Sequence, residues 1–239
     1  MSELAERIER VRARLADAAA RAGRPVESVR LLAVSKTHPP AAVREAAACG
    51  LTDFGENKVQ EAALKIPLAP GRLTWHLVGH LQSNKVRAAV RLFDYIHSVD
   101  SARLLRLVEE ESRAQGRRPK VFLEVNVAGE ASKFGLAPEA VGETLAAAQE
   151  CRAAEVVGLM AIPPVVAEPE RARGFFRRLR ELRDELRGAT GFALDELSMG
   201  MSHDAEIAVE EGATWVRIGT DIFGPRAAAW KPTADELGG

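Results

Sequence analysis

Apolar residues recur along this chain in two alternating rhythms. Near the N-terminus Leu4, Ile8, Val11 and Leu15 are spaced three and four apart among charged residues, which predicts an amphipathic helix over residues 2–21. Thereafter short β-rich runs alternate with stretches of helical period. The runs predicted as strands cover 29–35, 53–55, 73–79, 95–99, 121–127, 156–162, 195–199 and 214–219. Helices are predicted near 40–49, 57–66, 83–91, 101–115, 138–151, 169–188 and 203–211. Asp100 or Ser101 is placed to cap the 101–115 helix, and Gly116 and Pro119 follow its end. In 169–188, Phe175, Leu179, Leu182 and Leu186 lie at helical spacing, with arginines and glutamates between them.

Strand–helix alternation of this kind predicts a parallel sheet with helical crossovers. Eight strands in 239 residues suit one closed barrel, whose usual size is roughly 250 residues. An open doubly wound sheet should carry a Gly-rich phosphate loop after its first strand, and here Lys36-Thr37-His38-Pro39-Pro40 follows instead. The expected fold class is therefore α/β: a single (β/α)8 TIM barrel with an extra N-terminal helix, one domain over residues 1–239.

Composition narrows the partners. A formal net charge of −1 gives no overall attraction to nucleic acid or anionic lipid, so neither is expected as a partner. Cys49 and Cys151 stand far apart with no CxxC pair, which favours a reducing compartment over a disulfide scaffold or zinc knuckle. The charged N-terminal helix does not read as a signal peptide, and no apolar run approaches membrane-spanning length. A cytoplasmic monomer is expected.

In a TIM barrel the site forms at the C-terminal ends of the strands. That rule selects Lys36, Asn57, His80, Ser98, Asn126, Met160, the run Ser198 to Ser202, and Arg217, Gly219 and Thr220. Lysines number seven against 26 arginines, and Lys36 alone follows a run as apolar as Leu31-Leu32-Ala33-Val34. Alternation puts Leu32, Val34 and Lys36 on one strand face. A lysine amine, with an ordinary pKa of about 10.4, needs desolvation or a nearby cation to become a nucleophile. Position alone leaves two readings open: a reactive amine, or a surface lysine capping a strand.

The segments Ser198-Met199-Gly200-Met201-Ser202 and Trp215-Val216-Arg217-Ile218-Gly219-Thr220 fall where barrels commonly bind phosphate, after strands seven and eight. Gly200 and Gly219 would admit an anion close to the backbone, and Ser202 and Thr220 add hydroxyl donors. Arg217 should face the barrel interior, where it needs a partner such as Glu124. His76 and His80 are four apart but flank Leu77-Val78-Gly79 on a strand and turn, so no metal site is expected. The pairs Arg117-Arg118 and Arg177-Arg178 read as solvated surface.

Several motifs carry a family resemblance. They are Ala33-Val34-Ser35-Lys36, Phe54-Gly55-Glu56-Asn57-Lys58-Val59-Gln60-Glu61, Trp75-His76-Leu77-Val78-Gly79-His80-Leu81-Gln82-Ser83-Asn84-Lys85 and His97-Ser98-Val99-Asp100. Glu130-Ala131-Ser132-Lys133-Phe134-Gly135, Leu197-Ser198-Met199-Gly200-Met201-Ser202-His203-Asp204 and Val216-Arg217-Ile218-Gly219-Thr220-Asp221-Ile222-Phe223-Gly224 complete the set. Over roughly residues 5–226 the chain resembles the pyridoxal phosphate homeostasis proteins, whose barrel is similar to the N-terminal domain of alanine racemase. The resemblance implies a barrel of the PLP-binding type that carries pyridoxal 5′-phosphate (PLP) as a Schiff base on Lys36. It implies Arg217 facing the pyridine nitrogen, Met201, Ser202, Gly219 and Thr220 at the phosphate, and Asn57 against the ring. It gives His203 no contact.

Arg217 bears on the chemistry. A guanidinium can only donate, so it keeps the pyridine nitrogen unprotonated and the ring a weaker electron sink. The resemblance implies a PLP carrier that buffers the cofactor or delivers it to apo PLP-dependent enzymes, without robust catalysis. The alternative is a single-domain amino-acid racemase. Racemases of the related fold add a second domain with a catalytic tyrosine, whereas this sequence ends soon after the eighth strand and has only Tyr95, expected at the start of strand four.

Overall fold

The computed structural model describes residues 2–130, 134–225 and 230. Residues 131–133, within the fifth family motif, lie outside the described residues. The leading helix α1 (Glu3–Arg21) is capped by Ser2, which accepts a hydrogen bond from Ala5 N, and carries Glu3 and Glu6 in its first turn. It buries Ile8, Val11 and Leu15, as its spacing predicts, together with Ala18 and Ala19.

Eight parallel strands close in chain order: β1 (Arg30–Val34), β2 (Asp53–Glu56), β3 (Thr74–Leu77), β4 (Tyr95–Val99), β5 (Lys120–Glu124), β6 (Glu155–Met160), β7 (Glu196–Met201) and β8 (Trp215–Ile218). The closing register runs from Arg30 opposite Trp215 to Ala33 opposite Ile218. Helices α2 (Pro40–Ala48), α3 (Val59–Lys65), α4 (Val86–Leu92), α5 (Ala102–Gln115), α6 (Val141–Ala148), α7 (Arg173–Thr190) and α8 (Ala205–Glu210) return the chain between strands, and the short α9 (Thr220–Phe223) follows β8. Ser101, rather than Asp100, caps α5 by accepting from Leu104 N at 3.2 Å, and Gly116 ends the helix with φ of 63°.

The period-two alternation of each strand makes two cores. Outward-facing Ala33, Phe54, Leu77, Ile96, Leu197, Val216 and Ile218 pack under the helices. Leu32, Val34, Val78, Tyr95, Phe122, Met160 and Trp215 form a separate cluster within the barrel. Each fully buried large apolar side chain contributes roughly 1.5–3 kcal/mol. On α7 the deepest anchors are Phe176, Leu179 and Leu186, while Phe175 and Leu182 are only half-buried. Leu179 and Leu186 of the expected stripe are thus buried, and Phe176, three residues before Leu179 on the same helix face, is the third anchor in place of Phe175. Among the described residues no helix is long and apolar enough to cross a membrane.

Candidate functional site

A cavity of about 450 Å³ opens at the C-terminal end of the barrel. Lys36, Asn57, Met201, Ser202, Arg217, Gly219 and Thr220 all line it, with Val34, Val78 and Ile162 as apolar walls. His38 and His203 also reach it.

Lys36 follows β1 on a turn held by buried charge. The fully buried Lys65, at the end of α3, donates to Ser35 O (2.8 Å), Glu56 Oε1 (2.6 Å) and Glu61 Oε1 (2.9 Å). Ser35 Oγ donates to the same Glu56 oxygen at 2.7 Å, and Thr37 N donates to Glu61 at 2.6 Å. Both neighbours of Lys36 are therefore tied to one ionic cluster. Burial pushes the Glu56 carboxyl up, against the opposing pull of Lys65 and Ser35. Thr37 sits at φ of 68°, a left-handed conformation unfavourable for a β-branched residue, and the cluster holds it there. Asn57, after β2, passes directly over Gly79: a Cβ on Gly79 would lie 2.2 Å from Asn57 O.

The β7 and β8 loops use main chain instead. Asp204 accepts from Met201 N at 2.7 Å and folds the β7 loop back on itself. Gly200, expected to admit an anion, has another duty: at φ of 90°, a Cβ there would meet Ala208 Cβ at 2.5 Å, so it lets β7 close against α8. Gly219 does line the cavity, with Val34 O 3.2 Å from where a Cβ would stand. Asp221 N donates to Ser202 Oγ at 3.4 Å and joins the two loops. Arg14 of α1 clamps them from outside, donating to Glu206 (2.5 Å), Asp221 (2.6 Å) and Ser202 O (3.2 Å). The extra N-terminal helix thus supports this edge of the site, a role invisible in its sequence.

Arg217 is 5% exposed and forms the floor. It donates to Ser198 Oγ at 2.7 Å and to Ala161 O at 2.9 Å. Those neutral acceptors, rather than Glu124, are its hydrogen-bond partners; Glu124 and Asp204 act on it electrostatically. Burial pushes its guanidinium down to about 10, which leaves it cationic at neutral pH. Glu124 is pushed up to about 7 by burial and by Asp100, with Arg217 opposing.

Other candidates serve the scaffold. Ser98 Oγ donates to Gly79 O at 2.6 Å, Asn126 Nδ2 donates to Glu130 O at 2.8 Å, and Met160 belongs to the interior apolar cluster. His80 stacks on Phe134 at 3.7 Å, while His76 is buried inside the barrel with Nδ1 3.0 Å from His97 Nε2. His203, to which the resemblance gives no cofactor contact, lines the cavity with Nε2 3.1 Å from Val166 O. The arginine pairs lie at the surface as expected, with Arg118, Arg177 and Arg178 exposed and Arg117 half-buried, and they also make local hydrogen bonds: Arg117 to Val90 O, Phe93 O and Asp94, Arg118 to Arg152 O, Arg177 to Glu211 and Arg178 to Val127 O. The sequence reading missed Lys65, whose helical position resembles any surface lysine, and His38, whose ring packs at a tilt against Phe223 with centroids 5.2 Å apart.

A lysine, a buried arginine and two loop hydroxyls converging on one half-apolar cavity define a barrel suited to a flat, anionic, carbonyl-bearing ligand. The family model for the alanine racemase N-terminal domain matches residues 7–227. The chain is 50% identical over 228 residues to the pyridoxal phosphate homeostasis protein of Pseudomonas aeruginosa, covering 95% of this chain and 97% of that one. PipY of Synechococcus elongatus PCC7942 is 42% identical; its structures without and with PLP bound match at TM-scores of 0.85 and 0.80, covering 93% of this chain and 100% of each. This chain belongs to the pyridoxal phosphate homeostasis protein family, within the broader alanine racemase N-terminal domain family.

Proposed function

We propose that the barrel mouth holds pyridoxal 5′-phosphate as a Schiff base on Lys36, and that the chain stores the cofactor and supplies it to apo PLP-dependent enzymes. The observation that carries this reading is the convergence of Lys36, Asn57, Met201, Ser202, Arg217, Gly219 and Thr220 on one cavity. The donor set suits the ligand: hydroxyls and glycine backbone for a phosphate, a guanidinium for an aromatic nitrogen, and an amine for an aldehyde. When bound, PLP supplies an aldehyde that exchanges between amines and a ring that withdraws electrons. Ser202, Gly219 and Thr220, with Met201, would hold the phosphate, Asn57 would lie against the ring, and Arg217 would donate to its nitrogen. Because Arg217 has no acceptor, it cannot hold that nitrogen protonated, and the ring remains a modest electron sink. The same reading takes the chain as one domain acting as a cytoplasmic monomer.

Storage without robust turnover fits the placement of Tyr95, the chain's only tyrosine. It is buried in the interior cluster and stacks on His76 at 4.3 Å, so it cannot serve as an acid or base at the mouth. A racemase reading draws its support from His38 and His203, the two imidazoles lining the cavity. The deciding assay incubates purified protein with a panel of L- and D-amino acids in deuterated water, following α-proton exchange and enantiomer ratio separately. Slow exchange without inversion is expected, since one base can wash out a proton. Sustained inversion at rates on the order of 1–1000 s⁻¹, lost in Lys36→Ala, would make this a racemase.

A further inference from the structure

We propose that Asp53, at the base of the barrel, is a positioning residue for the mouth: through His76, His97 and Ser198 its carboxylate sets the direction of a buried hydrogen-bond chain that presents Ser198 Oγ to Arg217 as an acceptor. The chain is continuous. Arg217 Nη1 is 2.7 Å from Ser198 Oγ, which is 2.8 Å from His97 Nδ1. His97 Nε2 is 3.0 Å from His76 Nδ1, and His76 Nε2 is 3.2 Å from Asp53 Oδ1. It threads inward-facing positions of β8, β7, β4, β3 and β2, residues far apart in sequence.

Both ends of this chain have fixed polarity. A guanidinium only donates, and an ionised carboxylate only accepts. Burial disfavours the cationic form of both imidazoles, and in His76 it outweighs the pull of Asp53. A neutral imidazole has one donor and one acceptor. One assignment then satisfies every link. Arg217 donates to Ser198, Ser198 to His97 Nδ1, His97 Nε2–H to His76 Nδ1, and His76 Nε2–H to Asp53. In the reverse order His97 would donate to Ser198 and His76 to His97, leaving the lone pair of His76 Nε2 against a carboxylate.

The surroundings hold this geometry. His76 stacks on Tyr95 with ring planes 9° apart, and His97 stacks on Phe122 at 4.3 Å. Thr52 Oγ1 donates to Asp53 Oδ2 at 2.7 Å, keeping Oδ1 for His76. Asp53 itself opens onto a groove at the barrel base, lined also by Thr52 and Arg30. Polarised hydrogen bonds in a low-dielectric interior strengthen one another, so the charge at the base reinforces the acceptor offered to Arg217.

The test uses the full chain without cofactor, labelled with ¹⁵N-histidine, and reads tautomers by long-range ¹H–¹⁵N correlation. Nε2–H is expected at both His76 and His97. Asp53→Asn, whose amide oxygen still accepts, should preserve this pattern. Asp53→Ala should redistribute the tautomer of His97, a residue it does not touch. An Nδ1–H at His97 in the unsubstituted protein or in Asp53→Asn overturns the proposal, whether or not Asp53→Ala folds. So does an unchanged His97 in a folded Asp53→Ala. A second arm rests on the PLP reading: affinity for PLP should fall about two- to thirtyfold in Asp53→Ala and recover in Asp53→Asn. A moved tautomer with unchanged affinity would break the link to the mouth. Failure of the unsubstituted protein to bind PLP would overturn the proposed function alone, leaving the tautomer result to stand on its own.

Discussion

The two edges of the cavity are built from different materials. Beside β1 and β2, a fully buried ammonium and two carboxylates grip Ser35 and Thr37, the neighbours of Lys36. Beside β7 and β8, loops folded by Asp204, joined by Ser202 and clamped by Arg14 present hydroxyls and glycine backbone. An edge that must aim a single flexible side chain needs a rigid turn beneath it. An edge that must surround an anion needs close approach of main chain. The first should fail by unfolding and the second by losing affinity.

The largest effect is expected at Lys65. Lys65→Met would leave Glu56 and Glu61 beside an apolar chain, and breaking a buried pair by removing one partner costs roughly 3–5 kcal/mol. Urea unfolding measures this, and Lys65→Met combined with Glu56→Gln should recover part of the loss. A cost below about 1 kcal/mol would mean that the ionic cluster does not hold the Lys36 turn.

Glu124, on β5, tests the barrel interior between these edges. Its carboxyl stands at about 7 against an ordinary 4.5, so the folded state binds a proton that the unfolded state releases between those values. The stabilisation is full below about pH 4.5 and is lost as pH rises through 7. Glu124→Gln should therefore gain stability relative to the unsubstituted protein on moving from pH 5 to pH 8, by up to about 3 kcal/mol. A pH-independent difference would contradict the raised value.

The smallest effects are expected at the loop hydroxyls. Ser202→Ala and Thr220→Ala should each weaken PLP binding by about 1.5–3 kcal/mol, with thermal stability nearly unchanged. Pyridoxal, which lacks the phosphate, should bind far more weakly than PLP and be indifferent to both substitutions. Equal affinity for the two ligands would remove the phosphate from this edge.

How much of this was legible in the sequence follows from how local each signal is. The eight strands and the flanking helices announce themselves through periodicity, and the end-of-strand rule reaches Lys36, Asn57, Ser202, Arg217 and Thr220. Strand-face alternation also places Arg217 inward. Its partners, however, depend on register across a closed sheet: strand alternation points to Glu124, whereas Ser198 and Ala161 O are the contacts. Gly200 and Gly219 look alike in sequence, and only the neighbouring Ala208 shows that the first serves packing. His76 and His80 suggest a local pair, yet one points into the barrel and the other stacks at the rim on Phe134. Lys65 carried no signal, because a helical lysine is recognised as buried only once its carboxylates are in place.

The central claim is that one lysine of seven carries the cofactor. The measurement is borohydride reduction of the PLP-loaded protein followed by peptide mapping, alongside the visible spectrum of Lys36→Ala. A single adduct on Lys36 is expected, and Lys36→Ala should lose the visible absorbance with its far-UV circular dichroism unchanged. An adduct on Lys58, or on Lys133 outside the described residues, that persists in Lys36→Ala would contradict it.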